Sequence, residues 1–121
     1  MTTPIKNRIG GVFVPVRDIE KARDWYNRIL GLEGGEILFG HLYCPMMEGS
    51  GLILDAKASG SFHGNDVFPA YRVPAFMFAT DDIQAAYLYM QENGVELVTG
   101  VEHDKWFVFK DPDGNLLMVC C

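Results

Sequence analysis

The stretch Val12-Phe13-Val14-Pro15-Val16-Arg17-Asp18-Ile19-Glu20-Lys21-Ala22 changes its period part-way along, from the alternation of a strand to the spacing of a helix. Its β-branched and aromatic residues extend back to Arg8 and predict a strand over residues 8–16. Asp18 then stands as an N-cap, and apolar residues at Ile19, Ala22, Tyr26, Ile29 and Leu30 trace one face of an amphipathic helix. Gly31, with Gly34 and Gly35 beyond it, supplies the stop.

Working outward, three short extended stretches follow: Glu36 to Phe39, His41 to Met46 and Gly51 to Ala56. Gly40 and the turn Glu48-Gly49-Ser50-Gly51 separate them. The first half therefore reads βαβββ. The second half repeats the order. Val73 to Thr80 is a strand, Asp82 caps a helix carrying Ile83, Ala86, Tyr87 and Met90, and Asn93-Gly94 ends it. Strands at Val95 to Val101, Lys105 to Lys110 and Leu116 to Cys120 complete it. Asp111-Pro112-Asp113-Gly114-Asn115 joins the last two, with Pro112 fixing one corner and Gly114 free to take a positive φ. One constant offset carries Val12 onto Phe76, Val14 onto Phe78, Asp18 onto Asp82, Ile19 onto Ile83 and Ala22 onto Ala86. A single βαβββ unit has one helix for its sheet, so its other face needs a second unit or a ligand. The fold class expected is α+β: two tandem modules, about 8–56 and 73–121, with curved mixed sheets around clefts, in one domain over 1–121. The connection at 57–72 is long, and reads as a plain linker or as a lid over the cleft.

The order of these motifs, with Trp25-Tyr26 and Ile29-Leu30-Gly31-Leu32 in the first half and Asp111 to Leu117 in the second, resembles the vicinal oxygen chelate superfamily of glyoxalases, bleomycin-resistance proteins and dioxygenases. The resemblance covers nearly the whole chain. Metal-dependent members place His, Gln or Glu on the concave face of the first and last strands of each module. The resemblance puts Gly11, Ile53, Ala75 and Met118 at those positions, and none offers the oxygen or nitrogen that Zn²⁺, Mg²⁺, Mn²⁺ or Fe²⁺ requires. A slip of one residue exchanges strand faces, yet brings up only Ile9 or Gly10, Val12, Pro74, Phe76, Leu117 and Val119. Asp55, two places past Ile53, is the one carboxylate on that face. No metal and no cofactor are expected.

Alternation assigns the cleft its lining: Gly11, Phe13 and Pro15; Gly51, Ile53 and Asp55; Ala75, Met77 and Ala79; and Trp106, Val108, Lys110, Leu116, Met118 and Cys120. Ligand contact falls to Phe13, Ile53, Asp55, Met77, Trp106, Val108, Lys110 and Met118. Either Phe13, Met77, Trp106 and Met118 collapse on one another as core, or the small residues Gly11, Gly51, Ala75 and Ala79 leave room for an apolar or aromatic molecule stacked on Trp106. A relocated catalytic centre would draw on His41 at the start of the third strand, Asp55, His63 in the long connection, or His103 beginning the penultimate strand beside Asp104.

Composition narrows the classes. Of 121 residues 49% are hydrophobic and 21% charged, which suits a globular core. The net charge of −6, from 10 basic and 16 acidic residues, and the lack of a basic run exclude a phosphate-tracking surface, so nucleic acid is not an expected partner. No leader or membrane-length apolar run is visible, and Cys44, Cys120 and Cys121 show no disulfide framework; a cytoplasmic protein with reduced thiols is expected, Cys44 serving as a buried small hydrophobe. The function expected is metal-free binding or sequestering of a small molecule by a homodimer, similar to the bleomycin-resistance branch. A divergent lyase, isomerase or dioxygenase with a moved site, and a dimeric interaction module whose cleft is self-filled, stand beside it.

Overall fold

The computed structural model describes residues 2–57 and 68–121. The expected site residue His63, and most of the segment read as a linker or lid, lie outside them.

Strand β1 (Gly11–Pro15) leads into helix α1 (Ile19–Leu30). Asp18 accepts hydrogen bonds from the backbone N–H groups of Glu20 and Lys21, and Gly31 closes the helix at φ 69°. Strands β2 (Ile37–Leu38), β3 (Leu42–Tyr43) and β4 (Gly51–Asp55) complete the first module. The second runs β5 (Met77–Ala79), α2 (Ile83–Glu92) capped by Asp82, β6 (Glu96–Leu97), β7 (Trp106–Lys110) and β8 (Leu116–Cys120). The two sheets have one topology, β1-β4-β3-β2 and β5-β8-β7-β6, with the first and last strand of each module parallel and the other pairs antiparallel. The expected duplication is therefore present in the strand order itself.

Several strands are shorter than expected. Phe39 and Gly40 both take positive φ in the turn joining β2 to β3, so His41 lies in that turn and does not open the third strand. Pro45, which has no N–H to donate, follows soon after β3. Beyond β6, Val98 and Thr99 both donate to the carbonyl of Val108; two residues oppose one, and regular pairing stops. His103 and Asp104, each at φ 54°, form a turn ahead of β7, so His103 likewise precedes its strand.

Side-chain alternation is as expected. Val14, Leu52, Leu54, Phe107, Phe109, Leu117 and Val119 are buried on the helix side of their sheets. These join Ile19, Ala22, Tyr26 and Ile29 of α1 and Ile83 and Met90 of α2 in one continuous core. The modules thus meet through their helix sides. Tyr89 of α2 donates its hydroxyl to the carbonyl of Ile29 at 2.9 Å, filling an acceptor that the end of α1 leaves open, and Arg28 donates to Asn93 at 3.0 Å. Phe78 stacks on Phe109, and Tyr87 meets Phe107 edge-on.

Candidate functional site

With the helix sides spent on the shared core, the opposite face of each sheet is left open. On the first sheet the cross-strand rows are Gly11–Gly51, Phe13–Ile53, and Pro15–Asp55–Leu42–Leu38. On the second they are Met77–Met118–Val108, Ala79–Cys120–Trp106, and Leu116–Lys110–Glu96. Phe13 is 55% and Met77 58% exposed, although both are large and apolar. Collapse of the lining into the core of a single chain is therefore not what these two residues do. Sequence reasoning missed Leu38 and Leu42, because their strands are too short to display an alternation. Lys110 answers its charge locally, with Nζ 3.6 Å from Glu96.

A cavity of about 370 Å³ lies elsewhere, where the starts of β1 and β4 approach β5. Ile9, Val12, Met47, Leu52 and Phe76 line it, and of the open-face residues it reaches Gly51, Met77 and Ala79 but neither Asp55 nor Trp106.

The four residues that the resemblance puts at metal positions have side chains that do not fit a metal. Gly11 is bare backbone packed against Ile53; a Cβ there would come within 3.3 Å of the Ile53 side chain. Ile53 is aliphatic, Ala75 is a methyl group ahead of β5, and Met118 brings only a thioether, too soft for the cations this fold usually holds. Among the described residues no three His, Cys, Asp or Glu side chains gather to make a substitute.

Each described member of the alternative catalytic set makes its own local contacts. The Nδ1 atom of His41 lies 2.9 Å from the carbonyl of Phe39, within its own turn. Asp55 accepts from the backbone N–H of Lys57 at 2.9 Å. His103 sits in the other module against Trp106, ring centroids 5.2 Å apart. Among the described residues no hydrogen bond joins any two of these side chains. Cys44 is exposed, contrary to the expectation of a buried role: it follows β3 on the side away from Tyr43, which takes the buried position.

The buried polar cluster among the described residues was not foreseen. Asp111 and Asn115, read in sequence as turn formers, are 4% and 0% exposed. Oδ1 of Asp111 accepts from the N–H groups of Asp113 and Asn115, both at 2.9 Å, and Oδ2 from the Tyr26 hydroxyl at 2.6 Å and the Asn115 amide at 2.8 Å. Asn115 also donates to the carbonyl of Pro15 at 2.8 Å and accepts from Tyr71 N–H at 2.8 Å. The Tyr71 hydroxyl donates to the carbonyl of Phe13. Arg17 donates to Asp113 from both backbone and guanidinium, with Phe68 over the guanidinium at 4.0 Å. The closing hairpin of module two thereby holds the end of β1, and with it the strand that presents Phe13. Burial, then the charge of Asp111 and the hydrogen bond to it, lift the Tyr26 hydroxyl far above the ordinary tyrosine range. Burial also raises Asp113, opposed by Arg17 and reinforced by Asp111. A tyrosine inside an apolar helix stripe needs a partner for its hydroxyl; that was the signal available.

Two such modules, each with its first and last strands parallel and side by side, define a class. The sequence model of the Glyoxalase/Bleomycin resistance protein/Dioxygenase superfamily matches residues 8–119, and the chain belongs to that superfamily. Among solved structures it is similar to TnmS3, an antibiotic binding protein from Streptomyces sp. CB03234, at 25% identity and TM-score 0.71, over 98% of each chain. It is also similar to lactoylglutathione lyase from Agrobacterium tumefaciens (20%, TM-score 0.71, 98% of this chain and 95% of that one). A superfamily member from Sphaerobacter thermophilus DSM 20745 shares 23% identity at TM-score 0.72, over 93% of this chain and 94% of that one. No curated protein matches the chain by sequence. No helix among the described residues is long and apolar enough to cross a membrane.

Proposed function

We propose that this protein binds and holds a small apolar or aromatic molecule without a metal, a cofactor or a chemical step, and that two copies assemble so that the open face of one meets an open face of the other. One observation carries the reading: apart from Asp55, Lys110 and Glu96 the open-face rows are apolar, and Gly11, Ile53, Ala75 and Met118, where the family resemblance puts metal ligands, offer none. Phe13 and Met77, more than half exposed, stay unburied unless a ligand or a second copy covers them. Two-fold pairing is the commonest way for a chain to cover such a surface. Trp106 gives a flat surface for stacking. The likeness to TnmS3, described as an antibiotic binding protein, supports a binding role for this lining. A cytoplasmic location and the lack of a nucleic-acid partner are part of the same proposal, the latter resting on the net charge of −6.

Trp106 supplies the readout. In a Trp25→Phe background, a ring-bearing ligand on the open face is expected to quench Trp106 emission, and Trp106→Ala to weaken binding about tenfold, the scale of one lost stacking contact. Protein purified without chelator is expected to carry no stoichiometric transition metal. A bound metal whose removal abolishes binding refutes the proposal. A dimer that binds no aromatic or amphipathic compound would instead be the interaction module with a self-filled cleft.

A further inference from the structure

The open face of the first sheet is apolar except for one group. Asp55 stands between Pro15 and Leu42 in its row, with Phe13 and Ile53 in the neighbouring row. It is half-buried. One carboxylate oxygen takes the N–H of Lys57, and among the described residues no cationic side chain pairs with it. On the second sheet the charged residues Lys110 and Glu96 face each other in one row and pair, whereas Asp55 has no such neighbour in its row. A carboxylate partly withdrawn from water attracts a cation more strongly than the same group in bulk, because the effective dielectric constant falls. Pro15 is buried, but Phe13, Ile53 and Leu42 offer contact to a hydrocarbon body, and the Phe13 ring can receive a cation on its face. The chain's net charge of −6 raises the local concentration of cations and lowers that of anions.

Building on the binding role proposed above, we infer that the ligand of the first sheet is an organic cation: a protonated amine or quaternary ammonium on an apolar or aromatic body, its charge set against Asp55 and its ring against Phe13. An anionic ligand of the same shape is rejected by the same carboxylate.

Three probes with one ring system test this by calorimetry at neutral pH: 2-naphthylmethylammonium, 2-naphthylmethanol and 2-naphthoate. The ammonium is expected to bind the wild-type protein roughly tenfold tighter than the alcohol, the naphthoate weakest, and the preference to shrink as salt is raised. Asp55→Asn keeps an oxygen for the Lys57 N–H, so the strand end stays in place, and should bind ammonium and alcohol alike. Equal binding of the two by the wild type, or a preference that survives in Asp55→Asn, overturns the inference and leaves the binding role standing. Failure of all three probes to bind overturns both.

Discussion

Replacing Tyr26 with Phe removes a single oxygen from the core and tests whether the Asp111 network holds the two modules together. Tyr26 is 1% exposed and its hydroxyl lies 2.6 Å from Asp111 Oδ2. After Tyr26→Phe that oxygen keeps only the Asn115 amide, while Oδ1 keeps its two backbone donors. The carboxylate stays buried with one donor fewer, and a hydrogen bond to a charged group contributes about 1.5–3 kcal/mol. At about 2 kcal/mol, and with roughly 2.1 cal/mol/K of unfolding entropy per residue, Tm should fall by about 8 °C. The alkaline limb gives a second reading. Tyr26 titrates far higher folded than unfolded, because burial and Asp111 oppose its ionisation. Its stabilising contribution is therefore complete below about pH 10, where an unfolded tyrosine is still protonated, and drains away above it at roughly 1.4 kcal/mol per pH unit. Thermal unfolding followed by circular dichroism, at one protein concentration and at pH 7, 9 and 10.5, should show the gap between wild type and variant wide at the first two values and narrowing at the last. A gap under about 0.5 kcal/mol at pH 7, the range of a neutral surface change, would refute the assigned role.

Asp113, raised by burial, should behave in the opposite pH range. Its contribution is full below the ordinary aspartate value of 3.8 and is lost as pH rises through the folded value, so Asp113→Asn should compare more favourably with wild type at pH 6 than at pH 3.5. A pH-independent difference in Tm would show that the carboxyl is not the cause. Gly35 adopts φ +99°, and a Cβ there would lie 2.5 Å from the buried Tyr43 ring; Gly35→Ala should cost about 2–4 kcal/mol in denaturant unfolding, whereas Gly34→Ala meets no neighbouring atom and should cost about 1 kcal/mol for its positive φ alone. For the proposed dimer, Phe13→Asp with Met77→Asp should yield monomers by analytical ultracentrifugation with little loss of chain stability, since both side chains are more than half exposed in one chain. Unchanged mass would mean that the open faces are not the interface.

The architecture was legible wherever one local rule governed several residues. Asp18 and Asp82 announced both helices, and alternation along residues 106–110 and 116–120 placed each side chain on its face. The two-residue strands β2, β3 and β6 were not delimited, because a pair of residues carries no period and their ends are set by the turn at Phe39-Gly40, by Pro45 and by the bulge at Val98-Thr99. The site divides the same way. The alternation that leaves Phe13 and Met77 outside the core could be read from strand period, but His41 and His103 were misplaced onto strands. The burial of Asp111 and Asn115 stayed hidden because a turn sequence is the same whether the turn faces water or another module; what distinguishes them, contact with Tyr26 and Pro15, lies across the chain.

That contact bears on how a doubled chain stops being two things. A duplicated unit begins as two halves, each with its own interior. Here the closing turn of the second half completes the strand end of the first, through the Asn115 amide on the carbonyl of Pro15, and the helix of the first half supplies the hydroxyl that the second half's Asp111 accepts. Neither half can be separated without exposing a polar group that only the other satisfies, so severing the chain between them should leave fragments that fold only when mixed. The halves share one strand order, and the five-residue hairpin turn at 111–115 is one of the places where each depends on the other.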